Sequence, residues 1–188
     1  MDFQIVEKGA TLEIKDKAGK ALTNVYLGAG WDFTGKPVDL DLVAACLDGN
    51  GKLTAQTRLV YFGDKTEPGV QLSEDNRTGE GDGDDESIVF TLSEVEADVK
   101  KIAFGIAAYA GADLKSATNV HFRVCDGKDG SGPQVLEVRV ADAESGQTVL
   151  HAGNLVRGED GWKIENVSAF YSKGNGADAI RGFAGLFS

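Results

Sequence analysis

Apolar residues in this chain come only in short runs. The longest, residues 102–112, spans 11 positions, and most runs close on Gly, Asn or Asp. Runs this short suit strands and fall well below the roughly 20 residues that carry a helix across a membrane. In Leu136-Glu137-Val138-Arg139-Val140 apolar and charged residues alternate, the pattern of a strand with one wet face. Strands are expected at 3–6, 11–14, 24–27, 40–47, 59–62, 87–92, 102–108, 120–125, 135–140, 149–156 and 162–167, each bounded by turn-forming residues. Asp48-Gly49-Asn50-Gly51 reads as a hairpin turn, because Gly and Asn tolerate positive φ. Further turns are expected at 16–20, 126–132 and 159–161. Helical signal is sparse. Residues 93–101 carry Ser93 with Glu96 at the capping-box spacing, and 177–187 suit a short C-terminal helix. Many short strands without alternating long helices predict an all-β, mainly antiparallel β-sandwich with short helical segments. No linker or repeat divides the chain, so residues 1–188 read as a single domain.

Charge separates the function classes. The chain has 188 residues and a formal net charge of -11. That excess argues against direct nucleic-acid binding, which needs Lys and Arg to displace counterions, and against unaided docking on anionic lipid. The N-terminus lacks a basic stretch followed by an apolar one, so no signal peptide is expected. Cys46 and Cys125 are too few for a disulfide framework and read as buried thiols in a reducing compartment, which predicts a cytoplasmic protein.

Most of the negative charge is local. Residues 74–86 read EDNRTGEGDGDDE, with seven acids and one base, Arg77. Asp32 lies upstream in Gly-Trp-Asp, and Asp39 and Asp41 in Asp-Leu-Asp-Leu. Without these ten acids and Arg77 the remaining chain carries only -2. Hard cations such as Ca²⁺ take six to eight oxygen ligands from carboxylates, carbonyls and water. Asp75, Asn76, Glu80, Asp82, Asp84, Asp85 and Glu86 supply such oxygens, and Gly79, Gly81 and Gly83 alternate among them, free to turn carbonyls toward an ion. The acids repel one another, and a divalent ion removes that repulsion, so ion binding and ordering of the segment are coupled. An EF-hand is excluded. Residues 75–86 have its length, but Arg77, Gly79 and Glu80 stand at the wrong positions and the flanks are not helices. Asp39 and Asp41, two apart on a strand, share one face while Leu40 and Leu42 share the other.

Other chemistries are poorly supplied. His121 and His151 are the only histidines, too few for a zinc site. No Gly-x-Ser-x-Gly or P-loop pattern occurs. A glycosidase pair would need one carboxyl with a raised pKa, whereas these acids crowd a Gly-rich segment like an ion cage. Trp31 and Trp162 read as core residues, and Asp126-Gly127-Lys128-Asp129-Gly130 as a turn.

Several motifs together resemble the TerD family of bacterial tellurite-resistance and stress proteins. They are Gly30-Trp31-Asp32, Asp39-Leu40-Asp41-Leu42, Gly51-Lys52-Leu53, the central segment from Asp75 to Glu86, Val99-Lys100-Lys101-Ile102, Phe122-Arg123, Leu155-x-Arg157 and Gly161-Trp162-Lys163. The resemblance implies a β-sandwich that binds calcium, two ions, between the Asp-x-Asp strand and the acidic segment. The ligands it implies are Asp32, Asp39, Asp41, Asp75, Asn76, Asp84, Asp85 and Glu86, with backbone help near Gly79 and Gly81; Glu80 and Asp82 are further candidates turned toward solvent. It also implies a non-enzymatic role in stress and tellurite response through Ca²⁺-dependent assembly with protein partners at the inner membrane face. The alternative is a Ca²⁺-bridged binding module for anionic phosphate or lipid. Glu74 where the family has Gly, residues 114–118 where it has Phe-Gly-Gln-Val, and residues 168–171 where it is Gly-rich mark a divergent member.

Overall fold

The structure, a computed structural model, describes residues 3–33, 35–55, 58–73, 83–109 and 113–188. Two sheets face each other. One is ordered β1 (Gln4–Val6), β11 (Gln134–Arg139), β10 (Ala117–Asp126), β3 (Asn24–Phe33), β8 (Glu86–Thr91), β7 (Val70–Leu72) and β6 (Thr66–Glu67). The other is ordered β2 (Thr11–Glu13), β13 (Trp162–Tyr171), β12 (Val149–Arg157), β9 (Lys101–Ala108), β4 (Leu40–Leu47) and β5 (Leu59–Val60). Among the described strands only the β1–β11 pairing is parallel. The expected all-β sandwich is therefore the observed fold.

Burial explains the sequence pattern strand by strand. Leu40, Leu42, Ala44 and Cys46 of β4 point between the sheets and pack with Ile88, Phe104 and Phe122. Val43, Ala45 and Leu47 point the other way, onto a second apolar cluster with Ala179, Ile180, Phe183 and Phe187. These last residues belong to α1 (Ala177–Ala184) and the 3-10 turn Gly185–Phe187 that follows. All eight residues of β4 are buried, because a strand covered on both faces needs no polar side. β11 keeps its alternation, with Leu136 and Val138 buried and Arg139 exposed. Trp31, Trp162, Cys46 and Cys125 are buried as expected, and both thiols are free.

Two expected turns share one design. In each of Asp16-Lys17-Ala18-Gly19-Lys20 and Asp48-Gly49-Asn50-Gly51-Lys52 the Asp Oδ1 accepts the N–H groups two and four residues on. Each places its second-last residue, Gly19 or Gly51, at positive φ, 84° and 74°.

Several expectations change. Residues 93–100 form turns and bends, not a helix, and Lys101 already opens β9. Their carbonyls are taken by Arg157, whose Nη2 donates to Val95 O and Glu96 O at 3.0 Å and whose Nε donates to Val99 O at 2.9 Å. The strand expected at 24–27 continues to Phe33 as β3. Finally, β6 and β7 add a small hairpin around Pro68-Gly69, with Gly69 at φ 76°.

Candidate metal centre

The described candidate acids approach from three strands. Asp32 lies near the end of β3, Asp39 and Asp41 at the start of β4, and Asp84 and Asp85 lead into Glu86, the first residue of β8. Register brings β3 and β8 together, with Ala29 opposite Glu86. Glu86 points into the sandwich, 3% exposed, and its Oε2 accepts the Leu42 N–H of the opposite sheet at 2.6 Å. Asp41, one residue before Leu42, is also only 3% exposed. Asp39 is half-buried, and its carbonyl accepts the Tyr109 N–H at 2.9 Å.

Asp85 is tied to β3. Its Oδ2 accepts the Trp31 N–H at 2.9 Å, and its own N–H donates to Ala29 O at 2.8 Å. Burial pushes its carboxyl above the ordinary range; the Trp31 N–H opposes that rise, and the charges of Asp32 and Asp84 add to it. Like charges and desolvation both disfavour the ionised form, and a divalent cation would relieve both.

Asp84 has a different neighbourhood. Its Oδ1 accepts from Arg123 Nε and its Oδ2 from Arg123 Nη2, both at 2.6 Å, and Oδ2 also accepts the Tyr26 hydroxyl at 2.8 Å. Arg123 Nη1 reaches Gly130 O at 3.1 Å, and the guanidinium lies 5.5 Å from the Tyr26 ring centroid, inside cation–π range. The hydrogen-bonded carboxylate holds the Arg123 pKa above its ordinary value, and burial pushes the Tyr26 phenol up, so both stay donors. A Cβ on Gly28 would lie 2.2 Å from Asp84 Oδ2, and one on Gly30 would lie 2.8 Å from His121 Cε1. The glycines of β3 leave the room that these side chains occupy.

Asp32 Oδ2 accepts from Asn119 Nδ2 at 3.1 Å. Asn119 sits at φ 55°, a left-handed conformation Asn tolerates, at an irregularity in β10 between Thr118 and His121. The Nδ1–H of His121 donates to Asn119 O at 2.9 Å.

Asp75, Asn76, Gly79, Glu80, Gly81 and Asp82 lie outside the described residues. Their described flanks, Ser73 and Gly83, bracket the segment, and Ser73 is paired with Ser87 through the Ser87 N–H to Ser73 Oγ bond of 3.0 Å. Among the described residues no group of three or more His, Cys, Asp or Glu side chains is placed to hold an ion by itself. The donor chemistry nevertheless suits a hard cation, since all the candidates offer oxygen. Sequence reasoning assigned no role to Arg123, Tyr26, Gly28 or Asn119. A signal existed for Arg123, which stands in the Phe122-Arg123 pair, yet a lone Arg on a strand does not announce its partner.

Comparison with known proteins bears on the whole chain. A family model described as the TerD domain matches residues 1–179. Tellurium resistance protein TerD of Serratia marcescens is 30% identical over 178 residues, covering 90% of this chain and 91% of that protein. Stress response protein SCP2 of Bacillus subtilis (strain 168) is 31% identical over 183 residues, covering 86% of this chain and 89% of that protein. In fold, the chain is similar to the crystal structure of a homologue of telluride resistance protein (TerD) from Streptomyces coelicolor A3(2). The TM-score is 0.64 at 19% identity, over 89% of this chain and 99% of that one.

Proposed function

The chain belongs to the TerD family, and on that premise we propose that it is a non-enzymatic, cytoplasmic calcium-binding protein of the tellurium-resistance and stress-response type. The observation that carries the calcium reading is the burial of two acids, Glu86 and Asp41, beside one stretch of β4. Each is 3% exposed; Glu86 reaches the Leu42 N–H from the opposite sheet, and Asp41 is the β4 residue just before Leu42. Carboxylates gathered where water is scarce favour a cation, and oxygen donors of this number and flexibility favour Ca²⁺ over Mg²⁺. Asp85, Asp39 and Asp32 extend the donor set, and Asp75, Asn76 and the backbone near Gly79 and Gly81 complete shells for two ions. Bound calcium would neutralise the acidic segment and fix it against β4. The surface so formed would engage protein partners at the inner membrane face.

No helix among the described residues is long and apolar enough to cross a membrane. The relatives are named for resistance and stress response, not for a reaction, which supports the non-enzymatic reading. The anion-bridging alternative is weaker. The groove beside Asp32, about 620 Å³, holds Asn119, His121 and Arg139 but also Glu137 and Asp142, and Arg139 already donates to Glu137 at 2.5 Å.

Thermal melting of metal-stripped protein tests the calcium reading. A ligand at about 1,000 times its Kd stabilises by roughly 4 kcal/mol, which in a chain of this size raises Tm by roughly 10 °C. Asp85→Asn with Glu86→Gln is expected to abolish that rise while strand content by circular dichroism persists. No rise at millimolar Ca²⁺ in the parent sinks the reading, and an equal rise with Mg²⁺ reduces it to charge screening.

A further inference from the structure

We propose that Arg123 is a resident cation for Asp84 and a positioning residue for the candidate metal centre. In this arrangement Asp84 serves the guanidinium instead of the metal. The consequence for the metal rests on the calcium reading above; the clamp itself does not.

The geometry is that of a built ion-pair site. The two oxygens of Asp84 take two parallel N–H bonds from Arg123 at 2.6 Å, the bidentate match that a planar fork gives and a lysine cannot. Tyr26 supplies a third donor from β3 at 2.8 Å. The Arg123 group is itself held from behind by Gly130 O, in the turn after β10. Gly28 lets the carboxylate lie flat on β3. The Asp84 side chain is 6% exposed and that of Arg123 27%, so the carboxylate end of the pair is shielded from the screening that makes surface ion pairs weak. A metal approaching Asp84 would have to displace or share with a positive charge already seated there.

Position in the chain gives the clamp its effect. Asp84 immediately precedes Asp85 and Glu86, whose carboxylates reach the Trp31 and Leu42 N–H groups. Fixing Asp84 on β3 sets where both point, with no metal present. Arg123 thus acts on the candidate ligands through Asp84, as outer-shell partners orient metal ligands elsewhere.

The test uses the full chain and four variants: Arg123→Lys, Arg123→Gln, Asp84→Asn and the Arg123→Gln/Asp84→Asn double. Arg123→Lys keeps the charge and loses the fork, and it is the fallback if Arg123→Gln does not fold. The first measurement is amide hydrogen exchange by NMR in chelator. Arg123→Lys is expected to accelerate exchange at the amides of Trp31, Leu42 and Asp85 by about tenfold or more and to leave the amides of β12 unchanged, whereas uniform acceleration means a merely structural pair and overturns the proposal. The second is Ca²⁺ titration calorimetry. Arg123→Lys and Asp84→Asn should each weaken binding by about tenfold, the scale of outer-shell losses, and the double variant should add little. Tighter Ca²⁺ binding by either Arg123 variant, or loss of all binding in Asp84→Asn with exchange unchanged, would show that Asp84 is a metal ligand and overturn the proposal. If the parent binds no Ca²⁺, the calcium reading falls and the exchange pattern alone decides the clamp.

Discussion

A methyl group on Gly28 would sit 2.2 Å from Oδ2 of Asp84, well inside van der Waals contact. Either the carboxylate leaves Arg123 or the β3 backbone retreats from β8. Overpacking of this kind costs about 1–3 kcal/mol, and here it also separates a shielded ion pair. Gly28→Ala is therefore expected to lower the melting temperature of the metal-free protein by several degrees. Gly19→Ala should lose less: an added Cβ there meets nothing within 4 Å, and only the positive φ is strained. Equal losses at the two sites would mean that room for Asp84 is not what Gly28 provides. The same residue shows why part of the site could not be read from sequence. Gly28, Ala29 and Gly30 carry none of the β-branched signal of a strand, so the pattern alone ends the strand at Leu27. The residues that hide the strand are those that admit the side chains of Asp84 and His121.

At the scale of elements, α1 is docked over a polar chain. His151 of β12 is 8% exposed, and its ring meets Phe187 and Phe183 edge-on at centroid distances of 5.2 and 6.2 Å. Its Nε2–H donates to Asn154 Oδ1 at 2.9 Å, and Asn154 Nδ2 donates to Glu165 Oε2 at 2.8 Å. Lys101 Nζ stands 3.8 Å from that carboxylate. Burial lowers the His151 pKa below its ordinary 6.5, while the bond to Asn154 and the charge of Glu165 oppose the shift and Lys101 adds to it. The sign follows from linkage. The unfolded chain takes the proton more readily, so this contribution to stability is present above about pH 6.5 and is lost as the pH falls. Melting from about pH 7.5 down to 5.5 should therefore cost the parent more than a His151→Gln variant; identical pH profiles would remove His151 from the account. Legibility at this scale divided by pattern length. β4 and β9 stand out as long, mostly apolar runs and α1 as a C-terminal helix. The β6–β7 hairpin does not, since strands of two and three residues are too short to show a period, although Pro68-Gly69 marked its turn. Residues 93–101 looked helical because Ser93 and Glu96 imitate a capping box, whereas Arg157, sixty positions away, claims the carbonyls.

At the scale of the whole molecule, the described acids of the two acidic segments cluster around one end of the sandwich. The segments together account for -9 of the net -11. Their mutual repulsion opposes the compact state, and it is screened by salt over a Debye length of about 10 Å at 0.1 M. Chelated protein is expected to gain melting temperature as NaCl rises from about 0.01 to 0.5 M, and calcium-loaded protein to gain much less. The same salt slope in both states would place the repulsion away from the metal centre. Charge clustering was the most legible feature of the sequence, because it needs only counting. Which acid answers to which cation was not legible, because Arg123 and Asp84 are 39 positions apart and only the pairing of β10 with β3 and of β3 with β8 joins them.

The two tryptophans stand at different ends of this polarity. Trp31 follows Gly30 on β3, is 4% exposed, and has an indole N–H with no hydrogen-bond partner among the described residues. Trp162 pairs with Arg157 at the far end of β12, where the guanidinium lies 4.5 Å from its ring centroid. Their excited states therefore report on different places. One indole emits from the apolar core, on a residue whose backbone N–H is held by Asp85; the other lies under a positive charge that perturbs its spectrum. The chain carries its own pair of fluorophores, one for the acidic end and one as internal reference, so ordering at the first can be followed by light without a label.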